Sequence, residues 1–270
     1  MKHRQVLMLL YIALPICVLL RTIQMCFTID NTTGFLKQEY SAIGVSITVV
    51  ICAAAAAIGL LATMVDTKKQ SLCANGPCMA VACALVGGMF IYQTVAAFYA
   101  PIVDWYSVLL VLLSLLSAFV FIAYGIKSIY DCNMPRLMLA VPVAHYIMKL
   151  ISIFVSTSKL ALVTENVFLV LASSVLLWFM FEFASFENQV GDVDKKPKKL
   201  FALGITATVM CAVTSLPKLF LLIFNKIQLS GAEISEALLN MSIGIFIMMY
   251  ILRKFADSFE NQKSVSKHSA

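Results

Sequence analysis

Charged residues are scarce in this sequence. Of its 270 residues, 13% are Asp, Glu, Lys or Arg, whereas 61% are apolar. Soluble domains have about 25% charged and 45–50% apolar residues, so this composition excludes an ordinary water-soluble fold. No polar stretch is long enough to form a separate soluble domain. Together with a mean hydropathy of +0.92, this indicates that residues 1–270 form a single polytopic membrane domain.

The sequence also lacks the motifs of well-known enzyme classes. It contains no His-Glu-x-x-His, Gly-x-Ser-x-Gly or P-loop sequence, and no pair of aspartates within an apolar run. Those motifs supply the metal ligands, the nucleophile or the phosphate-binding loop of metalloproteases, hydrolases and ATPases. We therefore expect no enzymatic activity, no cofactor, no metal site and no binding of nucleic acid.

Long apolar runs dominate what is present. Eight of them are long enough to cross about 30 Å of hydrocarbon as helices. None alternates as a strand would, and open strands cannot satisfy their backbone in lipid. The sequence therefore predicts an all-α integral membrane protein with eight transmembrane helices, followed by a short polar tail at 253–270. The predicted spans are residues 6–27, 42–65, 78–99, 105–126, 137–155, 164–183, 200–224 and 234–252.

Positive charge is divided unevenly between the two sides of these spans. One side has 14 of the 20 lysines and arginines, and the loops of the other side have 3. By the positive-inside rule, both termini and the polar tail lie in the cytoplasm. The basic N-terminus precedes an apolar run without a cleavage site, so we interpret the first span as retained. The predicted location is the cell membrane (cytoplasmic or plasma membrane), with the bilayer as the first partner.

A short repeat suggests how the spans are organised. The sequence Ser-Phe-Glu-Asn-Gln occurs at 185–189 after the sixth span and at 258–262 after the eighth. Within the fifth and seventh spans, Lys149-Leu150 and Lys218-Leu219 begin similar apolar stretches. We predict four repeats of a helical hairpin, arranged about an axis along the membrane normal. The alternative is that apolar helices simply look alike.

Proline and glycine mark particular spans. The prolines within spans are Pro15, Pro142 and Pro217, and all three lie in odd-numbered spans. A proline inside a helix frees a carbonyl and kinks the helix, so we expect the odd helices to surround a functional centre and the even helices to support them. In the third span, Gly87-Gly88 predicts a close helix contact.

Ionisable residues inside spans are the strongest functional signal. At 1.5 Å per residue, Arg21 lies about 22 Å into the slab, and Lys149 about 18 Å above the start of its span. His145 lies one turn before Lys149 on the same helix face, near the midplane. Each such group costs about 2.5–3.5 kcal/mol on insertion scales, so it normally faces protein or water.

Three interpretations of these groups are open. In the first, carboxylates at the starts of the following spans form structural ion pairs with them, namely Arg21 with Glu39, Lys149 with Glu165 and Lys218 with Glu233. In the second, the cations snorkel to the surface. In the third, a polar cavity open to the outside binds an anionic or carboxylate-bearing ligand. The candidate lining residues of that cavity are Arg21, Gln93, His145, Lys149 and Lys218.

The sequence favours a small secondary transporter or permease for a small anionic or zwitterionic solute. Lys149 and His145 would bind the solute or couple protons, while Arg21 and Lys218 would attract it from outside. The alternative is a membrane sensor or interaction subunit that transports nothing and acts through a protein partner on the cytoplasmic side. A lipid-modifying enzyme is a third hypothesis, but no nucleophile or metal cluster supports it.

Overall fold

The computed structural model describes residues 3–29, 37–65, 76–99, 105–130, 134–157, 164–188 and 196–255. These residues contain eight α-helices and no β-strand, which confirms the predicted all-α class. All eight helices are long and apolar enough to cross a membrane, as expected of a multi-pass membrane protein. The helices are α1 (His3–Phe27), α2 (Ser41–Thr63), α3 (Pro77–Phe98), α4 (Trp105–Tyr130), α5 (Ala140–Thr157), α6 (Thr164–Glu187), α7 (Lys196–Ile223) and α8 (Gly231–Lys254).

Several helices extend beyond the predicted apolar runs. Helix α4 continues to Tyr130, α6 continues to Glu187, and α7 begins at Lys196. Hydropathy marks only the part of a helix that lies in hydrocarbon, and polar residues continue the same helix into the headgroup region. Each predicted span overlaps one of the eight helices, with ends displaced by up to a few residues.

Helix α5 begins later than its predicted span because of Pro142. A short 3₁₀ helix, Arg136–Leu139, precedes it, and the α-helix starts at Ala140. Pro142 therefore lies in the first turn, where backbone N–H groups have no partner within the helix and proline is tolerated. Pro15 and Pro217, by contrast, lie inside α1 and α7.

Helices α7 and α8 form the centre of the bundle. Helix α7 packs against α1, α2, α6 and α8, and α8 packs against α3 and α7. These two helices are also the most buried of the eight. Helix α8 thus lies as centrally as α7, while the expected division into odd helices around a functional centre and even helices that support them stays a prediction. The two helices of each predicted hairpin, α1–α2, α3–α4, α5–α6 and α7–α8, are in contact, while the fourfold repeat itself stays a prediction.

Small residues hold α3 and α4 close together. A Cβ atom added to Gly87 would lie 2.8 Å from Cγ1 of Ile122 and 3.2 Å from the carbonyl oxygen of Ala118, whereas one added to Gly88 would meet nothing within 4 Å. The close contact predicted for this glycine pair is thus confirmed for Gly87 alone. Beside it, an aromatic cluster fills the space between α3, α4, α6 and α8; its members are Phe90, Phe121, Tyr124, Phe183, Phe246 and Tyr250.

Specific hydrogen-bonded motifs form both ends of the connection between α7 and α8. Asn225 has a φ of 53°, and the N–H groups of Asn225 and Lys226 donate to the carbonyls of Leu222 and Leu221, which is a Schellman motif. At the other end, Ser230 and Glu233 form a capping box at the start of α8. The last turn of α7 is thereby held beside the first turns of α8.

Polar contacts join α6 and α8 at the end of the bundle where both helices finish. The Tyr250 hydroxyl donates to Oε1 of Glu187 at 2.7 Å, and Nζ of Lys254 lies 3.6 Å from the same oxygen. Glu187 belongs to the first copy of the repeated pentapeptide. The second copy, at 258–262, lies outside the described residues.

Candidate functional site

Three basic side chains are buried between the helices. Arg21 of α1 is 2% exposed, Lys149 of α5 is 4% exposed, and Lys218 of α7 is 8% exposed. These side chains do not extend to the surface of the bundle, which contradicts the snorkelling interpretation for all three. Burial of this kind requires polar or charged partners within the protein.

Lys149 is paired with a carboxylate of α8. Its Nζ lies 2.7 Å from Oε1 of Glu236, and the two side chains are 5% and 21% exposed. The Lys218 ammonium also acts on this carboxylate electrostatically. The sequence predicted Glu165 as the partner of Lys149, but the side chain of Glu165 lies outside the described residues. The pair of Lys149 and Glu236 therefore links α5 to α8.

The other two predicted carboxylate partners occupy different surroundings. Glu39 is exposed in a short 3₁₀ helix, Gln38–Tyr40, before α2. Glu233 accepts hydrogen bonds through Oε2 from the backbone N–H and the hydroxyl of Ser230, at 2.8 and 2.7 Å. Glu233 thus caps its own helix, and the carboxylate shown near the buried cations is Glu236, one turn further along α8.

A small cavity lies between these groups. Its volume is about 10 Å³, which is roughly the space that one water molecule needs. Charged and polar side chains from three helices line it, namely Arg21, Thr214, Lys218, Glu236 and Asn240, together with Phe168 of α6. Opposite charges from α1, α7 and α8 therefore meet in one small cavity between the helices.

Arg21 is oriented by two neighbours. Its Nη1 donates to Oε1 of Gln24 at 2.7 Å, and its guanidinium carbon lies 4.2 Å from the centre of the Phe168 ring. Gln24 in turn donates through Nε2 to the carbonyl of Gly44 at 2.6 Å and to Oγ1 of Thr48 at 2.8 Å. Stacking on an aromatic face suits the planar guanidinium, so the position of Arg21 is set by α1, α2 and α6 together.

Asn240 is a site residue that the sequence did not reveal. Its side chain is 2% exposed, and its Oδ1 accepts no hydrogen bond from the described residues. A buried carbonyl oxygen without a donor costs about 1–3 kcal/mol, so such a group calls for an explanation. An asparagine within an apolar run was the available signal, since polar side chains are costly at that depth.

His145 lies near the cluster and does not line the cavity. It is fully buried, with ring centroids 5.1 Å from Phe90 and 5.3 Å from Tyr146. Its Nδ1 lies 3.3 Å from Oγ of Ser114, and its Nε2 has no hydrogen-bond partner among the described residues. Gln93 lies outside the cavity lining as well, and its buried Oε1 also has no described partner. Of the five predicted lining residues, Arg21 and Lys218 line this cavity, whereas Gln93, His145 and Lys149 do not. Lys149 is connected to the cavity only through its contact with Glu236.

The contacts of Ser114 predict the tautomer of His145. The Ser114 hydroxyl donates to the carbonyl of Leu110 at 2.8 Å, so its oxygen acts as the acceptor towards Nδ1 of His145. We expect neutral His145 to have its proton on Nδ1 and a bare Nε2. ¹⁵N NMR of the purified protein tests this, because the chain has only 3 histidines and His145→Asn identifies the signal. A proton on Nε2 would contradict the prediction.

The backbone of α7 is weakened next to the cavity. Pro217 has no N–H, so the carbonyl of Val213 loses its helical hydrogen bond. The hydroxyls of Thr214 and Ser215 donate back to the carbonyls of Met210 and Cys211 at 2.9 and 2.6 Å, contacts that tend to bend helices. Thr214 and Lys218, which flank the proline, both line the cavity, so bending of α7 would change the cavity directly.

No family model, no curated protein and no solved structure matches this chain. The candidate site consequently rests on its own geometry.

Proposed function

We propose that this multi-pass membrane protein is a small secondary transporter, and that it binds a small carboxylate-bearing solute at the cavity between α1, α6, α7 and α8. The observation that supports this best is the cavity lining, which combines Arg21 and Lys218 with Glu236 and with Asn240, whose Oδ1 accepts no hydrogen bond from the described residues. Ionisable groups at membrane depth are costly, and in membrane proteins they commonly mark the pathway of a substrate or ion.

The arrangement of the helices around the cavity also suits a binding site that opens and closes. Transporters place their binding site between helices, and they open it alternately to the two sides. Here the cavity has the volume of about one water molecule, so a solute enters only when the helices separate. The weakened segment of α7 around Pro217 provides a place where this separation costs little backbone hydrogen bonding.

A thermal-stability screen of the detergent-purified full chain tests the proposal. The compounds are small carboxylic acids and amino acids, and inorganic anions serve as a comparison set. A ligand present at about 100 times its Kd stabilises the folded state by about 2.7 kcal/mol, which corresponds to a rise of roughly 5–10 °C in melting temperature. We expect such a rise for at least one carboxylate-bearing compound, and a much smaller one for Lys218→Met.

Lys226→Met is the matched control, because Lys226 is exposed in the loop that follows the same helix and does not line the cavity. A compound that passes the screen is then tested for uptake into proteoliposomes. Binding without uptake would favour the sensor or interaction-subunit alternative. If no carboxylate-bearing compound stabilises the wild-type chain, the proposed site is wrong.

A further inference from the structure

We infer that a groove between α1 and α2 binds an anionic phospholipid, with the phosphate beside Lys37 and one acyl chain between the two helices. This α1–α2 groove consists of two depressions of about 400 and 310 Å³, which adjoin because both are lined by Ile43 and Ile47. The other lining residues are Leu20, Ile23, Cys26, Phe27, Thr28, Lys37, Tyr40, Ala42, Ser46 and Val50. None of them lines the cavity around Arg21, so the inference does not depend on the solute proposed above.

Lys37 is held at one end of the groove by its backbone. Its N–H group donates to the carbonyl of Thr28 at 2.8 Å, just beyond the end of α1. Its carbonyl accepts from the N–H group of Tyr40 at 3.0 Å, just before α2 begins. Lys37 is exposed, and it is the only charged residue among the described residues that line the groove; Glu39, two positions along the chain, is not one of them. A positive charge therefore marks the end of the groove where α1 finishes and α2 starts.

The rest of the groove is apolar and about as long as one leaflet is thick. From Tyr40 to Val50 the chain rises by about 15 Å, which is half of the 30 Å or so of hydrocarbon in a bilayer. Ser46 is the polar side chain in this part of the lining, and its hydroxyl donates to the carbonyl of Ala42 at 2.8 Å. The groove thus offers an acyl chain an apolar surface in which the hydroxyl group already has an acceptor.

A phospholipid matches both parts of this arrangement. Its phosphate can accept a charge-assisted hydrogen bond from the Lys37 ammonium, and a chain lying in a concave surface gains more dispersion contacts than one beside a convex helix. A net negative headgroup is favoured because a lysine near the membrane surface attracts anionic lipid. A second copy of this chain fits less well, since it would cover the exposed ammonium and remove it from water.

The test measures which lipid the purified full chain prefers and where that lipid lies. Native mass spectrometry compares phosphatidylglycerol with phosphatidylcholine of the same acyl chains. We expect the first phosphatidylglycerol to bind about fivefold more tightly, which corresponds to about 1 kcal/mol. A phosphatidylglycerol with a photoactivatable diazirine at the end of one acyl chain should crosslink mainly to residues 20–27 and 42–50.

Lys37→Gln tests the headgroup contact. The substitution removes a charge at an exposed position, so the chain should fold normally, and the fivefold preference should fall below twofold. Lys226→Gln is the matched control, because Lys226 is exposed in the loop between α7 and α8 and does not line the groove. This control should keep the preference of the wild-type chain.

Ile43→Trp tests the position of the acyl chain, with Val45→Trp as its control. Ile43 and Val45 are 54% and 53% exposed on the same helix, but of the two only Ile43 lines the groove. A tryptophan at position 43 occupies space that the acyl chain needs, so both lipids should bind at least fivefold more weakly. The same residue at position 45 should leave lipid binding unchanged.

Several results would overturn the inference. Equal affinities for the two lipids, or an unchanged preference in Lys37→Gln, would show that Lys37 does not bind the headgroup. Equal effects of the two tryptophan variants, or crosslinks spread evenly over the eight helices, would show that the lipid does not lie in the groove. A dimer that Ile43→Trp dissociates would assign the groove to a second copy of the chain. If Ile43→Trp fails to fold, the crosslinks of the wild-type chain decide the position.

Discussion

Replacing Lys149 by Met is expected to lower the free energy of unfolding by about 3 kcal/mol. The substitution leaves the largely buried Glu236, whose side chain is 21% exposed, without the ammonium group that lies 2.7 Å from it. Removal of one partner of a buried ion pair typically costs 3–5 kcal/mol. We expect a loss at the lower end of this range, because the positive charge of Lys218 also acts on Glu236. Equilibrium unfolding of the purified protein in detergent measures the loss.

The double variant distinguishes an ion pair from two independent residues. Glu236→Gln alone should be similarly destabilising, since it leaves Lys149 buried opposite a neutral amide. Lys149→Met combined with Glu236→Gln should recover most of one loss, because no unpaired charge of this pair is left. Lys226→Met should change stability by less than about 0.5 kcal/mol. Strictly additive losses would show that the two side chains do not interact.

A second large effect on stability is expected for the substitution Gly87→Leu. Leu at this position needs space already occupied by Ile122 and by the backbone oxygen of Ala118, 3.2 Å from the added Cβ. The side chain of Ile122 can move in part, but the carbonyl belongs to α4 itself, so α3 and α4 must separate. We expect a loss of about 3 kcal/mol, or no folded protein, measured as yield of monodisperse protein and as melting temperature.

Gly88→Leu is the matched control for Gly87→Leu. Gly88 is the next residue on the same helix, but it is exposed, and a Cβ there would meet nothing within 4 Å. The same substitution should therefore leave the protein folded, and a small gain in stability is expected because Leu favours helices more than Gly does. Equal behaviour of the two variants would show that the α3–α4 packing described here is wrong.

The eight helices could be predicted from the sequence because the bilayer allows few alternatives. Within lipid, a long apolar run must satisfy its own backbone, and a helix is the usual solution. The order in which helices pack is not constrained in this way, because apolar surfaces resemble one another and lipid competes with them. The central positions of α7 and α8 were therefore not predictable from apolarity.

The candidate site was predictable in part for a similar reason. Arg21, Lys149 and Lys218 stand out because charges are rare in spans, and the structure places all three in the bundle interior. Their neighbours depend on helix packing, so the sequence did not identify Asn240. The sequence could have favoured Glu236 over Glu233 as a partner of the buried cations, because Ser-x-x-Glu at 230–233 is a capping-box pattern that engages Glu233 at the helix start.

The central position of α7 has a consequence for biosynthesis. Helices α1 and α2 pack against each other and against α7, so the first hairpin to be synthesised has its main partner near the end of the chain. Until then, Gln24 links Arg21 to α2 through its bonds to Gly44 and Thr48. We expect these bonds to give Arg21 polar neighbours within the first hairpin before α7 and α8 are inserted and complete the cluster.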